Sequence, residues 1–160
     1  RSISSDNYAK AYGITYPADK EDTIYDALTE NEINYLCRMV ETETYCAPFI
    51  SKVYVAEVAL HRLESYEGAN MVGIITSPNQ FCYSRSYISQ DTIWAVEYAY
   101  KYKTEAQNAF GFQRGYTPKW YAWVWLFTDP VGHNFYGYDY ENADILSKDV
   151  DASENSVGEM

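Results

Sequence analysis

The chain has 160 residues, which suits one domain of ordinary size and is enough to bury a hydrophobic core. Asp and Glu number 23 against 12 Lys and Arg, which gives a formal net charge of -11. Because the chain carries so little positive charge, we do not expect it to bind the phosphate backbone of nucleic acid. The longest apolar run is far too short to cross a bilayer, so we expect no membrane-spanning segment.

Tyrosine is the unusual residue in the composition, with 18 Tyr beside 4 Trp and 6 Phe. Such a surplus of flat, hydroxylated rings exceeds what a core of this size needs, and stacking on sugar rings is one use for the remainder. A saccharide-binding surface is therefore one expectation from composition, although core and hydrogen-bonded surface positions explain several of these residues equally well.

The two ends of the chain differ in character from its middle. Residues 1–24 are polar and aperiodic, and we expect a surface leader or a partly disordered segment there. Residues 142–160 are acidic and rich in Ser and Asn, which predicts a frayed tail. Residues 25–141 remain as one domain. The chain begins at Arg1 with no initiator Met, which indicates a processed or truncated chain.

The cysteines and histidines do not form a recognisable metal site. Cys37, Cys46 and Cys82 lack the spacing of a zinc-type pair or of a dense disulfide framework. One disulfide with a free thiol and a fully reduced trio both fit the spacing, and reduced cysteines are favoured because Cys37 falls on the apolar face of a predicted helix. His61 and His133 lack ligand-like spacing, so we expect no metal and no cofactor.

Hydrophobic periodicity predicts three helices followed by a small β element. Residues 29–32 have the form of a capping box, which starts the first helix. A second helix is expected over 48–65 with Pro in its first turn, and a third over 89–103, with loop-rich residues 68–84 between them. Residues 119–140 indicate a β-hairpin or short sheet. The predicted fold class is α+β, mainly helical with a small antiparallel β element near the C-terminus.

Two glutamates near the end of the first helix are candidates for a general acid. Glu43 lies on the flank of the apolar stripe and in the last turn, where partial burial and the negative end of the helix dipole disfavour the ionised carboxylate. We therefore expect its pKa to be raised, as a general acid near neutral pH requires. Glu41 falls on the opposite flank and is the rival. The alternative is that both are solvated surface glutamates.

Three segments share a pattern with one known family, in the same order along the chain. Residues 36–49 (LCRMVETETYCAPF) and 53–63 (VYVAEVALHRL) match a pattern that reads roughly L-A-R-x-x-x-x-E-A-R-G-E-P and then V-A-V-A-x-V-x-x-N-R. Residues 77–81 (SPNQF) are similar to a P-G-Q-F loop, and residues 133–136 (HNFY) to an H-x-F-Y motif. Together these segments resemble the cell wall hydrolase family typified by the spore cortex-lytic enzyme SleB, over about residues 29–138.

The resemblance implies a lysozyme-like catalytic domain that cleaves the β-1,4 bond between N-acetylmuramic acid and N-acetylglucosamine in peptidoglycan, as a lytic transglycosylase. By position, Glu43 matches the first Glu of E-A-R-G-E and is the implied catalytic acid. The candidate substrate-binding residues are Gln80, Phe81, Tyr45, Tyr136 and His133. The implied partner is the peptidoglycan glycan strand, acted on by a monomer that is secreted or associated with the cell envelope, in a bacterial wall, spore or phage lysis context.

The sequence departs from the family pattern around the acid. Tyr45, Cys46 and Ala47 stand where the family has Arg, Gly and Glu. Two alternatives therefore stay open: a catalytically weakened or inactive glycan-binding or structural derivative of the same fold, and a water-using muramidase. A muramidase would need a second carboxylate such as Glu57. We expect Glu57 to be solvated instead, because Glu is rarely buried without a partner.

Overall fold

The computed structural model describes residues 22–102, 105–115 and 123–138, which form five helices and one three-stranded antiparallel sheet. The helices are α1 (Ile24–Ala27), α2 (Glu30–Glu43), α3 (Phe49–Ser65), α4 (Met71–Thr76) and α5 (Gln90–Tyr102). The strands are β1 (Gly111–Arg114), β2 (Trp123–Thr128) and β3 (His133–Tyr138). The predicted α+β class is thus confirmed. None of the described helices is both long and apolar enough to span a membrane.

The described residues fall into two compact units that divide between Gln107 and Asn108. The first, here the helical unit, holds the helices, and the second, the sheet unit, holds the strands. The predicted tail over 142–160 lies outside the described residues, as does the predicted leader except for residues 22–24.

Helix α2 begins where the sequence predicts. Thr29 Oγ1 accepts the backbone N–H of Glu32 at 3.1 Å, and Glu32 Oε1 accepts the backbone N–H of Thr29 at 3.0 Å, which completes the capping box. The other carboxylate oxygen of Glu32 accepts the backbone N–H of Met71 at 2.8 Å. The residue that caps α2 therefore also fixes the first residue of α4.

Helix α4 lies inside residues 68–84, where the sequence analysis expected mainly loop. Asn70 starts this helix, because its Oδ1 accepts the backbone N–H of Gly73 at 2.9 Å. Met71, Ile74 and Ile75 are buried. The helix is too short for its apolar residues to show a clear period, and Gly73 lowers its helix propensity, so only packing against the other helices establishes it.

Helix α3 is the centre of the helical unit. It packs against α2, α4 and α5. A helix with neighbours on several sides must be apolar around most of its surface. Its fully buried apolar side chains are Phe49, Val53, Val55, Ala56, Val58 and Ala59.

Glu57 lies in the middle of α3 and is fully buried, so the expectation that it is solvated is wrong. Its Oε1 accepts the backbone N–H of Ala106 at 2.8 Å, and its Oε2 accepts that of Glu105 at 3.2 Å. Both amides belong to the turn that follows α5. The carboxylate is tolerated in the core because these donors satisfy its oxygens.

The sheet has the strand order β1-β3-β2, with both pairs antiparallel. Strands β2 and β3 confirm the predicted hairpin, and β1 adds an edge that was not predicted. Gly111 of β1 lies opposite Tyr136 of β3, and a Cβ atom at Gly111 would come within 2.6 Å of the Tyr136 side chain. Glycine at this position therefore makes room for the tyrosine ring.

Replacing Glu57 with Gln should lower the free energy of unfolding by about 2–3 kcal/mol, because the amide offers only one acceptor atom to two buried N–H groups. Urea unfolding monitored by circular dichroism measures the change. The control is Glu67→Gln, at an exposed residue, which should stay within about 0.5 kcal/mol of the original chain. Equal stabilities of the two variants would contradict the assigned role of Glu57.

Candidate functional site

Glu43 is the last residue of α2 and is half-buried. Its Oε2 accepts the backbone N–H of Cys82 at 2.8 Å. Cys82 directly follows residues 77–81, the segment that is similar to a P-G-Q-F loop. One hydrogen bond therefore joins the segment that contains Glu43 to the residue that directly follows residues 77–81, although 39 residues separate Glu43 from Cys82 along the chain.

The chain after Cys82 stays in contact with the end of α2. The backbone N–H of Arg85 donates to Thr42 Oγ1 at 3.0 Å, and the Arg85 guanidinium carbon lies 3.4 Å from the centre of the Tyr45 ring. Tyr45 is 55% exposed. A cation–π contact thus holds this candidate sugar-binding ring in place, two residues after Glu43.

Arg62 of α3 holds the loop that carries Gln80 and Phe81. Its Nη1 donates to Gln80 Oε1 at 2.9 Å, and its guanidinium carbon lies 4.7 Å from the centre of the Phe81 ring. Phe81 is buried, whereas Gln80 is exposed. Arg62 stands at the Arg of the N-R pair in the family pattern, but the sequence analysis assigned it no role. Its position in that motif was the feature from which a role could have been predicted.

Two residues that replace glycines of the family pattern adopt the left-handed backbone conformation. Cys46, at the Gly of E-A-R-G-E, has a φ of 64°, and Asn79, at the Gly of P-G-Q-F, has a φ of 62°. This region favours glycine because a Cβ atom crowds the neighbouring carbonyl there. The backbone at both positions therefore has the shape for which a glycine is the favoured residue.

Glu41 is buried, so the expectation of a solvated surface position is wrong for this residue. Its Oε1 accepts hydrogen bonds from Thr92 Oγ1 at 2.6 Å and from the backbone N–H and Oγ of Ser89, each at 2.9 Å. Burial raises the pKa of Glu41, but these hydrogen bonds and the charge of Lys52 together hold it below its ordinary value. Glu41 is thus poorly suited to donate a proton near neutral pH.

An open cavity of about 450 Å³ lies beside the end of α2. Lys52 in its wall is buried, and its Nζ donates to the carbonyl oxygen and Oγ1 of Thr44 at 3.1 and 3.3 Å. Burial lowers the pKa of Lys52, against the opposing charge of Glu41. The two buried charges compensate each other. The cavity is lined by Glu41, Tyr45, Cys46, Ala47, Lys52, Ser89, Gln90 and Asp91.

His133 and Tyr136 belong to the sheet unit, and both side chains are buried. Asp129 holds His133 through two contacts: its Oδ1 accepts the backbone N–H at 2.7 Å, and its Oδ2 lies 3.2 Å from the ring Nδ1. The His133 ring also packs against Phe112. These contacts explain His133 as part of the sheet unit, and substrate binding by His133 and Tyr136 stays a prediction.

All three cysteines are free thiols, as the sequence analysis favoured. Cys37 is buried, and burial raises its pKa to about 12, so this thiol is unreactive. Cys46 and Cys82 are exposed. Within the described ranges, no group of three or more His, Cys, Asp or Glu side chains is arranged to hold a metal ion.

No protein-family model matches the chain, and neither does any curated protein or solved structure. Function is therefore inferred from the chemistry of the residues around Glu43. The helical unit brings Glu43, the 77–82 loop and the exposed Tyr45 ring to one end of α2. Among the three glutamates considered, Glu43 is the one whose carboxylate is only half-buried.

Replacing Glu41 with Gln should reduce stability in a pH-dependent way. The pKa of Glu41 in the folded state lies below its ordinary value of 4.5. The stabilisation that the ionised Glu41 gives to the fold is therefore complete above pH 4.5 and is lost as the pH falls through the lowered pKa. Urea unfolding at neutral and acid pH measures the difference between the two chains, expected to be about 1–3 kcal/mol at neutral pH and smaller in acid. A difference independent of pH would contradict this account.

Replacing Cys46 with Gly should raise the free energy of unfolding by about 1 kcal/mol, because glycine removes the left-handed strain at this position. The matched control is Cys46→Ala, which also removes the thiol but keeps the Cβ atom and should give no gain. Thermal unfolding of the three chains provides the measurement. A Gly variant less stable than the Ala variant would show that the backbone at Cys46 is unstrained.

Proposed function

We propose that the chain is a peptidoglycan-cleaving glycosidase, a lytic transglycosylase with a lysozyme-like catalytic domain, in which Glu43 is both acid and base. The observation that carries this proposal is the hydrogen bond from the backbone N–H of Cys82 to Glu43. It joins the segment that resembles the family's acid motif to the residue that directly follows the segment similar to the P-G-Q-F loop. Such contact is what a shared catalytic site requires of two motifs that are distant in sequence.

The backbone conformation of the two replaced glycines supports the same proposal. A chance similarity of letters would give no reason for Cys46 and Asn79 both to adopt a positive φ. Non-glycine residues rarely take this conformation, and asparagine does so more readily than cysteine. Both positions agree with the family pattern at the level of backbone shape, even where the residue differs.

The other two glutamates are occupied in ways that favour Glu43. Glu41 accepts three hydrogen bonds on one oxygen and has a lowered pKa, the opposite of what an acid needs. Glu57, the second carboxylate that a water-using muramidase would need, is buried and bound to the backbone of Glu105 and Ala106. The muramidase alternative therefore loses its candidate base.

A single carboxylate is sufficient for transglycosylation. Protonated Glu43 gives its proton to the glycosidic oxygen, the bond from that oxygen to C1 of muramic acid breaks, and the neighbouring sugar leaves as an alcohol. The Glu43 carboxylate then takes the proton of the muramic C6 hydroxyl, and the oxygen of that hydroxyl bonds to C1. The product is a 1,6-anhydro sugar, and no water is consumed. The C6 hydroxyl is tethered to the reacting centre, so it acts at high effective concentration.

Three arginines lie in or against the 80–85 segment in a chain whose net charge is -11. Arg62 and Arg85 contact Gln80 and Tyr45 as described, and the Arg38 guanidinium lies 5.6 Å from the centre of the Tyr83 ring. Each is stacked on an aromatic ring. A local group of cations supports attraction of the carboxylates of peptidoglycan, which the overall charge would repel.

The direct test is digestion of purified peptidoglycan by the original chain and by Glu43→Gln, with released fragments identified by mass spectrometry. The original chain should release fragments with 1,6-anhydro-muramic ends. The variant should lose roughly 100- to 10,000-fold in rate, because it lacks the transferable proton. Glu30→Gln, at an exposed position of the same helix, is the matched control and should keep its activity.

The outcomes separate the candidate functions. Undiminished turnover by a folded Glu43→Gln variant would contradict the assignment of the acid. Absence of fragments from the original chain, together with retention of the protein on insoluble peptidoglycan, would support the glycan-binding derivative instead. The sequence feature that favours this glycan-binding derivative is the replacement of the family's Arg, Gly and Glu by Tyr45, Cys46 and Ala47 beside the acid.

A further inference from the structure

The side-chain amide of Gln80 is held in one orientation by Arg62. Arg62 Nη1 donates to Gln80 Oε1 at 2.9 Å. A guanidinium carries only N–H donors, so the oxygen of the amide has to face it. The two ends of a glutamine amide are otherwise easily interchanged, and here the partner decides between them. The NH₂ group of Gln80 therefore lies on the other side of the amide.

The NH₂ group of Gln80 retains hydrogen-bonding capacity. Within the described residues, it contacts the carbonyl oxygen of Pro78 at 3.5 Å, which is at the outer limit of a hydrogen bond. The group carries two donor hydrogens, and the Gln80 side chain is exposed. At least one donor is thus available to a ligand at the loop that also binds Glu43.

The position of this donor is fixed by the residues on either side of it. Phe81 is buried, and the Arg62 guanidinium that binds Gln80 also lies over its ring. Asn79, before Gln80, makes the turn with its left-handed backbone. Cys82, two residues after Gln80, donates to Glu43. A donor held in this way loses little conformational entropy when it binds a ligand.

We propose that Arg62 is a positioning residue that makes Gln80 a dedicated hydrogen-bond donor, and that this donor binds the carbonyl oxygen of an N-acetyl group on an amino sugar. The inference rests on the proposed function, because it names the substrate group that the loop beside Glu43 recognises. It extends that function by assigning a basis for specificity to a residue pair outside the acid.

The chemistry of the pair selects between acetylated and deacetylated sugars. An amide carbonyl oxygen only accepts hydrogen bonds, so it complements an NH₂ group whose orientation cannot reverse. A sugar hydroxyl both donates and accepts and would bind either orientation of the amide. The ammonium group of a deacetylated amino sugar only donates, and the Arg62 charge behind the amide repels it. The site therefore favours N-acetylated chains.

The test measures binding in a Glu43→Gln background, which prevents cleavage of the ligand. Isothermal titration with a tetramer of N-acetylglucosamine and with the matching tetramer of glucosamine should show tighter binding of the acetylated one. Gln80→Glu should weaken binding of the acetylated tetramer by about tenfold, because a carboxylate still pairs with Arg62 but has no N–H to offer. Its thermal stability should be equal to the parent's or higher, which separates loss of the donor from loss of the fold.

Two further variants give matched comparisons. Gln80→Met keeps the side-chain length without the amide and should bind as weakly as Gln80→Glu. Arg62→Lys still donates to Oε1, so it should retain most of the preference for the acetylated tetramer, whereas Arg62→Leu leaves the amide free to reverse and should lose it. Binding by Gln80→Glu as tight as by the parent, or equal binding of both tetramers by the parent, would overturn the inference.

Failure of this inference and failure of the proposed function are distinguishable. Release of anhydro fragments by the original chain, with normal tetramer binding by Gln80→Glu, leaves the enzyme in place and overturns the role of Gln80. The predicted binding pattern without any fragment release supports the role of Gln80 and overturns catalysis by Glu43.

Discussion

Hydrogen bonds from distant backbone N–H groups to glutamate carboxylates hold the helical unit together. In four such pairs the donor lies 39 to 49 residues after the glutamate in the chain, and each distance is 2.8 or 2.9 Å. The pairs are Glu32 with Met71, Glu43 with Cys82, Glu41 with Ser89, and Glu57 with Ala106. Charge-assisted bonds of this kind are stronger than neutral ones, so helices α2 and α3 determine where the following segments lie. Part of the acidity of the chain is therefore structural.

The proposed chemistry depends on one of these backbone-to-glutamate hydrogen bonds, the one that Glu43 makes with the exposed 77–82 loop. Glu43 accepts a hydrogen bond from the backbone N–H of Cys82. Gln80, two residues before Cys82, is exposed to solvent. Arg62 fixes the orientation of the Gln80 amide through its hydrogen bond to Oε1. One hydrogen bond thus ties the loop that carries the donor to the acid at the end of α2, and a displacement of the loop would move Gln80 relative to Glu43.

The sequence predicted correctly those helices whose ends and apolar faces are determined by residues close together in the chain. The capping box at Thr29 and the helix after Pro48 were predicted correctly, because caps and apolar periods involve residues a few positions apart. The burial of Glu57 and the role of Arg62 were missed, since their partners lie 18 to 49 residues away in the chain. Helix α4 was missed because packing rather than propensity forms it. The position of Glu43 on its helix could be predicted, but the loop that contacts it could not.

The central claim is that one carboxylate, Glu43, cleaves the glycan without water. Digestion of peptidoglycan in water enriched in heavy oxygen, followed by mass spectrometry of the fragments, tests it most directly. In transglycosylation the C6 oxygen of muramic acid forms the new bond, so the account predicts anhydro-muramic ends that contain no heavy oxygen. Reducing muramic ends that each carry one heavy oxygen would show attack by water and would contradict it.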